Sequence, residues 1–97
     1  MAAYLVVEVN VKDPQRYEDY KAMVPPTVEA YGGKFLVRGG AAECLEGEPP
    51  PARMVIIEFA SVEQAKRWWD SDEYREARNL RQAAAETRLI VVEGAPS

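Results

Sequence analysis

Tyr31-Gly32-Gly33-Lys34-Phe35-Leu36-Val37-Arg38-Gly39-Gly40 closes one element of this chain and opens the next. A Gly-Gly pair ends a helix, because the residue after the last turn takes left-handed backbone that glycine adopts without strain. Five residues then alternate as a strand, with Phe35 and Val37 on one face and Lys34, Leu36 and Arg38 on the other. A second Gly-Gly pair releases the strand and leaves room beside it. A guanidinium on rigid backbone next to glycines can hold a carboxylate by two hydrogen bonds, so Arg38 is the leading candidate for a site.

Upstream of this stretch, Tyr4 to Val11 alternates, with Leu5, Val7, Val9 and Val11 on one face, which predicts a first strand. Asp13-Pro14 supplies an N-cap followed by proline at the first helical position. Tyr17, Tyr20, Val24, Val28 and Tyr31 then recur at spacings of three and four, predicting a helix from Pro14 to Tyr31. Pro25-Pro26 lies inside it and is expected to kink it or divide it into two short helices.

Downstream, the strand of Lys34 to Gly39, with a continuation towards Leu45 left open, leads into a proline-rich loop from Glu46 to Ala52. Arg53 to Phe59 alternates again and predicts a third strand. Ser61 with Gln64 three residues on has the form of a capping box, and the helix it opens closes at Trp68-Trp69. Ser71-Asp72-Glu73 opens another helix with acids in its first turn; Tyr74, Ala77, Leu80, Arg81 and Ala84 carry it forward. Thr87 to Glu93 predicts the last strand. The order is βαββαβ, an α+β ferredoxin-like plan with a four-stranded antiparallel sheet, in one domain over residues 1–94 with a tail at 95–97.

Strand parity assigns the helix-covered face to Leu5, Val7, Val9, Phe35, Val37, Val55, Ile57, Phe59, Leu89 and Val91. It leaves Tyr4, Val6, Glu8, Asn10, Leu36, Arg38, Met54, Ile56, Glu58, Ile90 and Val92 on the far face. That face is too apolar to stand in water and too charged for a plain core, so a second copy is expected to cover it.

Composition narrows the chemistry. The 97 residues carry a net charge of −4, and the twelve Lys and Arg are scattered, which argues against nucleic acid. No apolar run near the length of a membrane span and no signal-peptide pattern occurs, so a soluble, cytoplasmic protein is expected. The chain has no histidine and one cysteine, Cys44. That removes Ser-His-Asp and Cys-His catalysis, histidine-ligated zinc and cysteine-rich metal sites. No metal and no cofactor are expected, and acid–base work would fall to Asp, Glu, Tyr or Lys.

Tyr17-x-x-Tyr20, the Tyr31-to-Gly40 stretch, Leu45-Glu46-Gly47, Arg53 with Val55 to Phe59, Ser71-x-x-Tyr74 and Glu93-Gly94 together resemble the domain-of-unknown-function family DUF1330. The Pro49 to Pro51 run departs from the Trp-Pro often found in that loop. The family resembles the dimeric α+β barrel superfamily, which implies a homodimer of sheets paired face to face. Relatives there include cofactor-independent monooxygenases, haem-degrading enzymes, chlorite-dismutase-like proteins and muconolactone isomerases.

Two functional expectations follow. The first is binding of a small acidic or polar ligand through Arg38, with Tyr20, Asn10 and Glu58 assisting. The second is a cofactor-independent enzyme, monooxygenase- or isomerase-like, acting on a small carboxylated or phenolic substrate with Glu58 or a tyrosine as proton carrier. Against both stand plainer roles: Arg38 paired with Glu58 or Glu8, Tyr17 and Tyr20 as core, and Arg53 and Arg81 solvated or ion-paired. Glu8 and Glu58 could also form a coupled carboxylate pair, or each could pair with a base.

Overall fold

The computed structural model describes residues 1–96; Ser97, in the expected tail, lies outside them. The elements run β1 (Ala3–Val11), α1 (Pro14–Ala30), β2 (Lys34–Arg38), β3 (Arg53–Phe59), α2 (Val62–Trp69), α3 (Asp72–Ala84) and β4 (Ala85–Glu93). The sheet has the order β2-β3-β1-β4 with every neighbouring pair antiparallel. This is the expected α+β plan, with its second helical segment divided where Asp70-Ser71 was expected to divide it.

The helix starts follow from their caps. The side chains of Asp13, Ser61 and Ser71 accept hydrogen bonds from the backbone N–H of Arg16, Gln64 and Tyr74, satisfying donors that a first turn leaves free. The capping box at Ser61 is only half made, because the Gln64 Oε1 accepts from Arg67 at 3.2 Å while its Nε2 donates to the Tyr31 carbonyl at 3.0 Å. That bond ties α2 to the end of α1. Gly32, at φ +72°, turns the chain out of α1. Gly33 then passes so close to the core that a Cβ there would meet Phe59 and Val28 at 2.7 Å.

Leu5, Val7 and Val9 of β1 and Val55, Ile57 and Phe59 of β3 are buried beneath the helices. Trp68 and Tyr74, both fully buried, stack with ring centroids 4.0 Å apart, and Trp68 lies 5.6 Å from Phe59. Burying one such aromatic side chain contributes about 1.5–3 kcal/mol, so this cluster anchors α2 and α3 on the sheet. Trp69, its neighbour, is exposed, as two adjacent helical residues cannot both face one core.

The register of β2 overturns one expectation. Phe35 lies opposite Ile57, but Val37 lies opposite Ile56 and Arg38 opposite Val55, so Leu36 is an inserted residue in a bulge. A one-residue insertion exchanges the faces of everything after it. Arg38 therefore belongs to the helix-covered face and Val37 to the far face, the reverse of their parity assignment. The far face has no covering layer: the molecule is 16 Å thick in its shortest dimension, and Leu36, Ile90 and Val92 are exposed.

Candidate functional site

The bulge and the proline pair, remote in sequence reasoning, meet at one point. In a helix each N–H donates to the carbonyl four residues earlier, so Pro25, which has no N–H, leaves the Lys21 carbonyl unpaired. The Arg38 guanidinium donates to that carbonyl at 2.7 Å. α1 consequently runs unbroken through Pro25 and Pro26 rather than dividing there. Arg38 also lies 4.6 Å from the centroid of the Phe35 ring, which fixes its planar head at the mouth of a cleft between α1 and the sheet.

Two further arginines line this cleft. Arg53, first residue of β3, sits 5.6 Å from the Tyr17 ring and beneath the backbone of Gly39. A Cβ at Gly39 would overlap Arg53 Nη1 and come within 2.9 Å of its Cζ, so only glycine leaves the guanidinium its place. Arg53 Nε is buried without a hydrogen-bond partner among the described residues. Arg81, on α3, is 3% exposed. Its Nε donates to the Tyr74 hydroxyl at 3.1 Å and its Nη1 to the Thr87 hydroxyl.

Among the described residues none of Arg38, Arg53 and Arg81 forms an ion pair with a carboxylate. The wall between them is Val7, Val55 and Ile57, and the enclosed space measures about 20 Å³. Tyr20 completes the lining. Its hydroxyl shares a 2.9 Å hydrogen bond with Tyr74, so Arg81, Tyr74 and Tyr20 form a line reaching the cleft. Burial holds the Tyr20 phenol well above its ordinary value, reinforced by Tyr74, so it is neutral across the physiological range.

The four residues expected to act together divide. Arg38 and Tyr20 line the same cleft. Asn10 and Glu58 do not: Asn10 is exposed opposite Glu86 on β4, and Glu58 lies on the far face opposite Tyr4 and Lys34. An Arg38–Glu58 or Arg38–Glu8 pair is excluded by the bulge. Glu8 pairs with Arg88 at 3.2 Å. Glu8 and Glu58 stand opposite Met54 and Tyr4, four residues apart along the strands, and make no carboxylate pair.

Arg53 and Arg81, read as solvated or paired, are the residues that sequence reasoning missed. Arg81 had left a signal: it falls on the buried stripe of α3 with Tyr74, Ala77 and Ala84. A larger groove of about 160 Å³ lies under α2, lined by Leu5, Trp69, Leu89 and Val91, but Lys66 is its one charged wall residue. An open depression of about 490 Å³ is lined by Glu8, Asn10, Glu86, Thr87 and Arg88, where Glu8 and Arg88 pair with each other; the convergent cations without a carboxylate partner belong to the arginine cleft.

No group of metal-binding side chains occurs among the described residues, and no described helix is long and apolar enough to cross a membrane.

Comparison with known proteins adds the lineage. No curated protein matches the sequence. A crystal structure of a protein of unknown function from Rhodopseudomonas palustris superposes with a TM-score of 0.79 at 24% identity, covering 99% of this chain and 84% of that one. A dimeric ferredoxin-like protein of unknown function from Jannaschia sp. CCS1 gives a TM-score of 0.77 at 12% identity, covering 97% and 100%. SnoaB from Streptomyces nogalater, described as a cofactor-independent oxygenase, gives 0.57 at 9% identity, covering 99% and 95%. These likenesses carry the fold. The family is carried by the sequence: residues 2–95 match the model of a domain of unknown function, and the chain belongs to the DUF1330 family.

Proposed function

We propose that this protein is a homodimer that binds a small acidic ligand in the cleft between α1 and the sheet. The observation that carries the reading is Arg81, a guanidinium 3% exposed with only neutral hydroxyls as acceptors. An uncompensated buried charge costs several kcal/mol, which an anion bound nearby offsets. Arg38 and Arg53 on the same cleft raise the local positive charge further, in a chain whose net charge is −4. In this reading Arg38 holds the acid from the helix side, with Tyr20 lining the same cleft. Asn10 and Glu58 are left to the far face and its edge, where in this reading the second copy packs; two structural neighbours are themselves described as dimeric ferredoxin-like proteins.

The test is thermal unfolding with propionate at increasing concentration. A ligand that binds only the folded state raises the midpoint by mass action. The wild type should rise by a few degrees at saturation, and Arg38→Gln and Arg53→Gln should fold but lose most of that rise. A wild-type midpoint unmoved by any carboxylate overturns the reading.

The Arg81–Tyr74–Tyr20 line favours one second reading, a cofactor-independent enzyme. There Tyr20 would donate a proton or hydrogen bond to a developing oxyanion rather than remove a proton. The fold it shares with SnoaB is compatible with such chemistry. Oxygen consumption, or isomerisation of a bound acid, that disappears in Tyr20→Phe would move the assignment from binding to catalysis.

A further inference from the structure

The groove under α2 has no part in the reading above, and its walls call for a ligand of a different kind. It offers about 160 Å³ between α2 and the edge strand β4, on the helix side of the sheet and away from the face assigned to the second copy. Leu5, Ala65, Trp69, Leu89 and Val91 supply its apolar walls, and no carboxylate is among them.

Trp69 is 40% exposed, yet its indole is held in place. The Arg78 guanidinium stands 4.7 Å from the ring centroid, donates to the Trp69 carbonyl at 2.8 Å and lies 3.8 Å from a carboxylate oxygen of Asp70. A flat apolar wall fixed in advance spares a ligand the entropy of ordering it. The same contacts occupy Arg78. Lys66, one turn before Asp70 on α2, is exposed, has no ion-pair partner among the described residues and is the one cation on the groove's wall.

Volume, wall shape and charge together narrow the occupant. A dry apolar cavity of about 150 Å³ accommodates one benzene ring. An indole wall favours a ring, which stacks on it or meets it edge-on, over an aliphatic body of equal size. A lone ammonium at the edge of an apolar groove favours a single negative charge beside that ring. We propose that the groove binds a monocyclic aromatic acid, its ring against Trp69 and Leu89 and its carboxylate at the Lys66 ammonium. This site is separate from the arginine cleft and does not depend on it.

Benzoate, benzyl alcohol and cyclohexanecarboxylate divide the claim. The alcohol keeps the ring without the charge, and the cyclohexane acid keeps the charge and size without the flat ring. Dissociation constants are read from the amide shifts of Ala65 to Trp69 and Leu89 to Val91. Benzoate should move those amides saturably and bind about threefold more tightly than either analogue. Lys66→Gln should bring benzoate down to the level of benzyl alcohol. Trp69→Leu should weaken benzoate about fivefold while the rest of the spectrum keeps its dispersion. Equal binding of benzoate and cyclohexanecarboxylate overturns the aromatic assignment, and a benzoate affinity unmoved by Lys66→Gln overturns the charge contact. Absence of benzoate shifts from the groove overturns the site altogether. If they fall instead around Tyr20 and Phe35, the acid belongs to the arginine cleft; if the groove amides shift on protein dilution alone, the occupant is a second copy.

Discussion

Gly39 shows how much one missing side chain can decide. Its backbone at φ +76° and its contact with Arg53 both require glycine, for different reasons. Left-handed backbone costs other residues about 1–2 kcal/mol, and a methyl group would push the guanidinium off its position. Gly39→Ala is therefore expected to lower stability by about that amount and to lose most of the propionate response, because the Arg53 head is flexible and moves first. Urea unfolding together with the thermal titration checks this. Full ligand response in a folded Gly39→Ala protein would show that the placement of Arg53 does not matter. The glycine pair was legible as a sign of close approach. What approaches was not legible, because Arg53 is fourteen residues away across the β2–β3 connection.

At the scale of elements, α1 and β2 are joined by an exchange of backbone and side-chain groups. Pro25 removes a donor from the helix, and Arg38 from the bulged strand supplies one to the same carbonyl. Pro25→Ala is expected to restore the helical hydrogen bond to Lys21, strengthen α1 on its own, and free Arg38 from its anchor. Helix propensity favours alanine by about 3 kcal/mol, offset in part by the lost side-chain bond, so stability should rise while affinity for a small acid falls. Amide exchange across residues 21–29 with a propionate titration would read both. Unchanged affinity with a stabilised helix would mean that Arg38 needs no anchor. Periodicity located this helix and its buried stripe correctly, and it read the prolines as an interruption. The division into two short helices does not occur, and another element answers the orphan carbonyl, a partner to which sequence periodicity has no access. The same holds for the bulge: strand parity counts residues, and the insertion at Leu36 shows only in the pairing with β3.

For the molecule as a whole, the bare face of the sheet is the dominant feature. A central row of Val37, Ile56, Val6 and Ile90 runs across the four strands, bordered by the Glu8–Arg88 pair on one side and by Lys34 opposite Glu58 on the other. An apolar row with a charged border has the anatomy of an interface. Ile56→Glu is expected to leave the helix-side core intact and to raise the dimer dissociation constant by about 30-fold or more, measured by sedimentation velocity. A wild type that sediments as a single subunit at micromolar concentration would remove the dimer. Amino-acid order alone determined the βαββαβ succession, the caps, the buried stripes and the family, because those depend on short-range spacing and local backbone preference. Tertiary structure decided which side of the sheet Arg38 occupies and that Arg53, Arg81 and Tyr20 share one cleft. It did so because a bulge, a proline's lost donor and a buried charge acquire meaning only from the partner that folding brings to them.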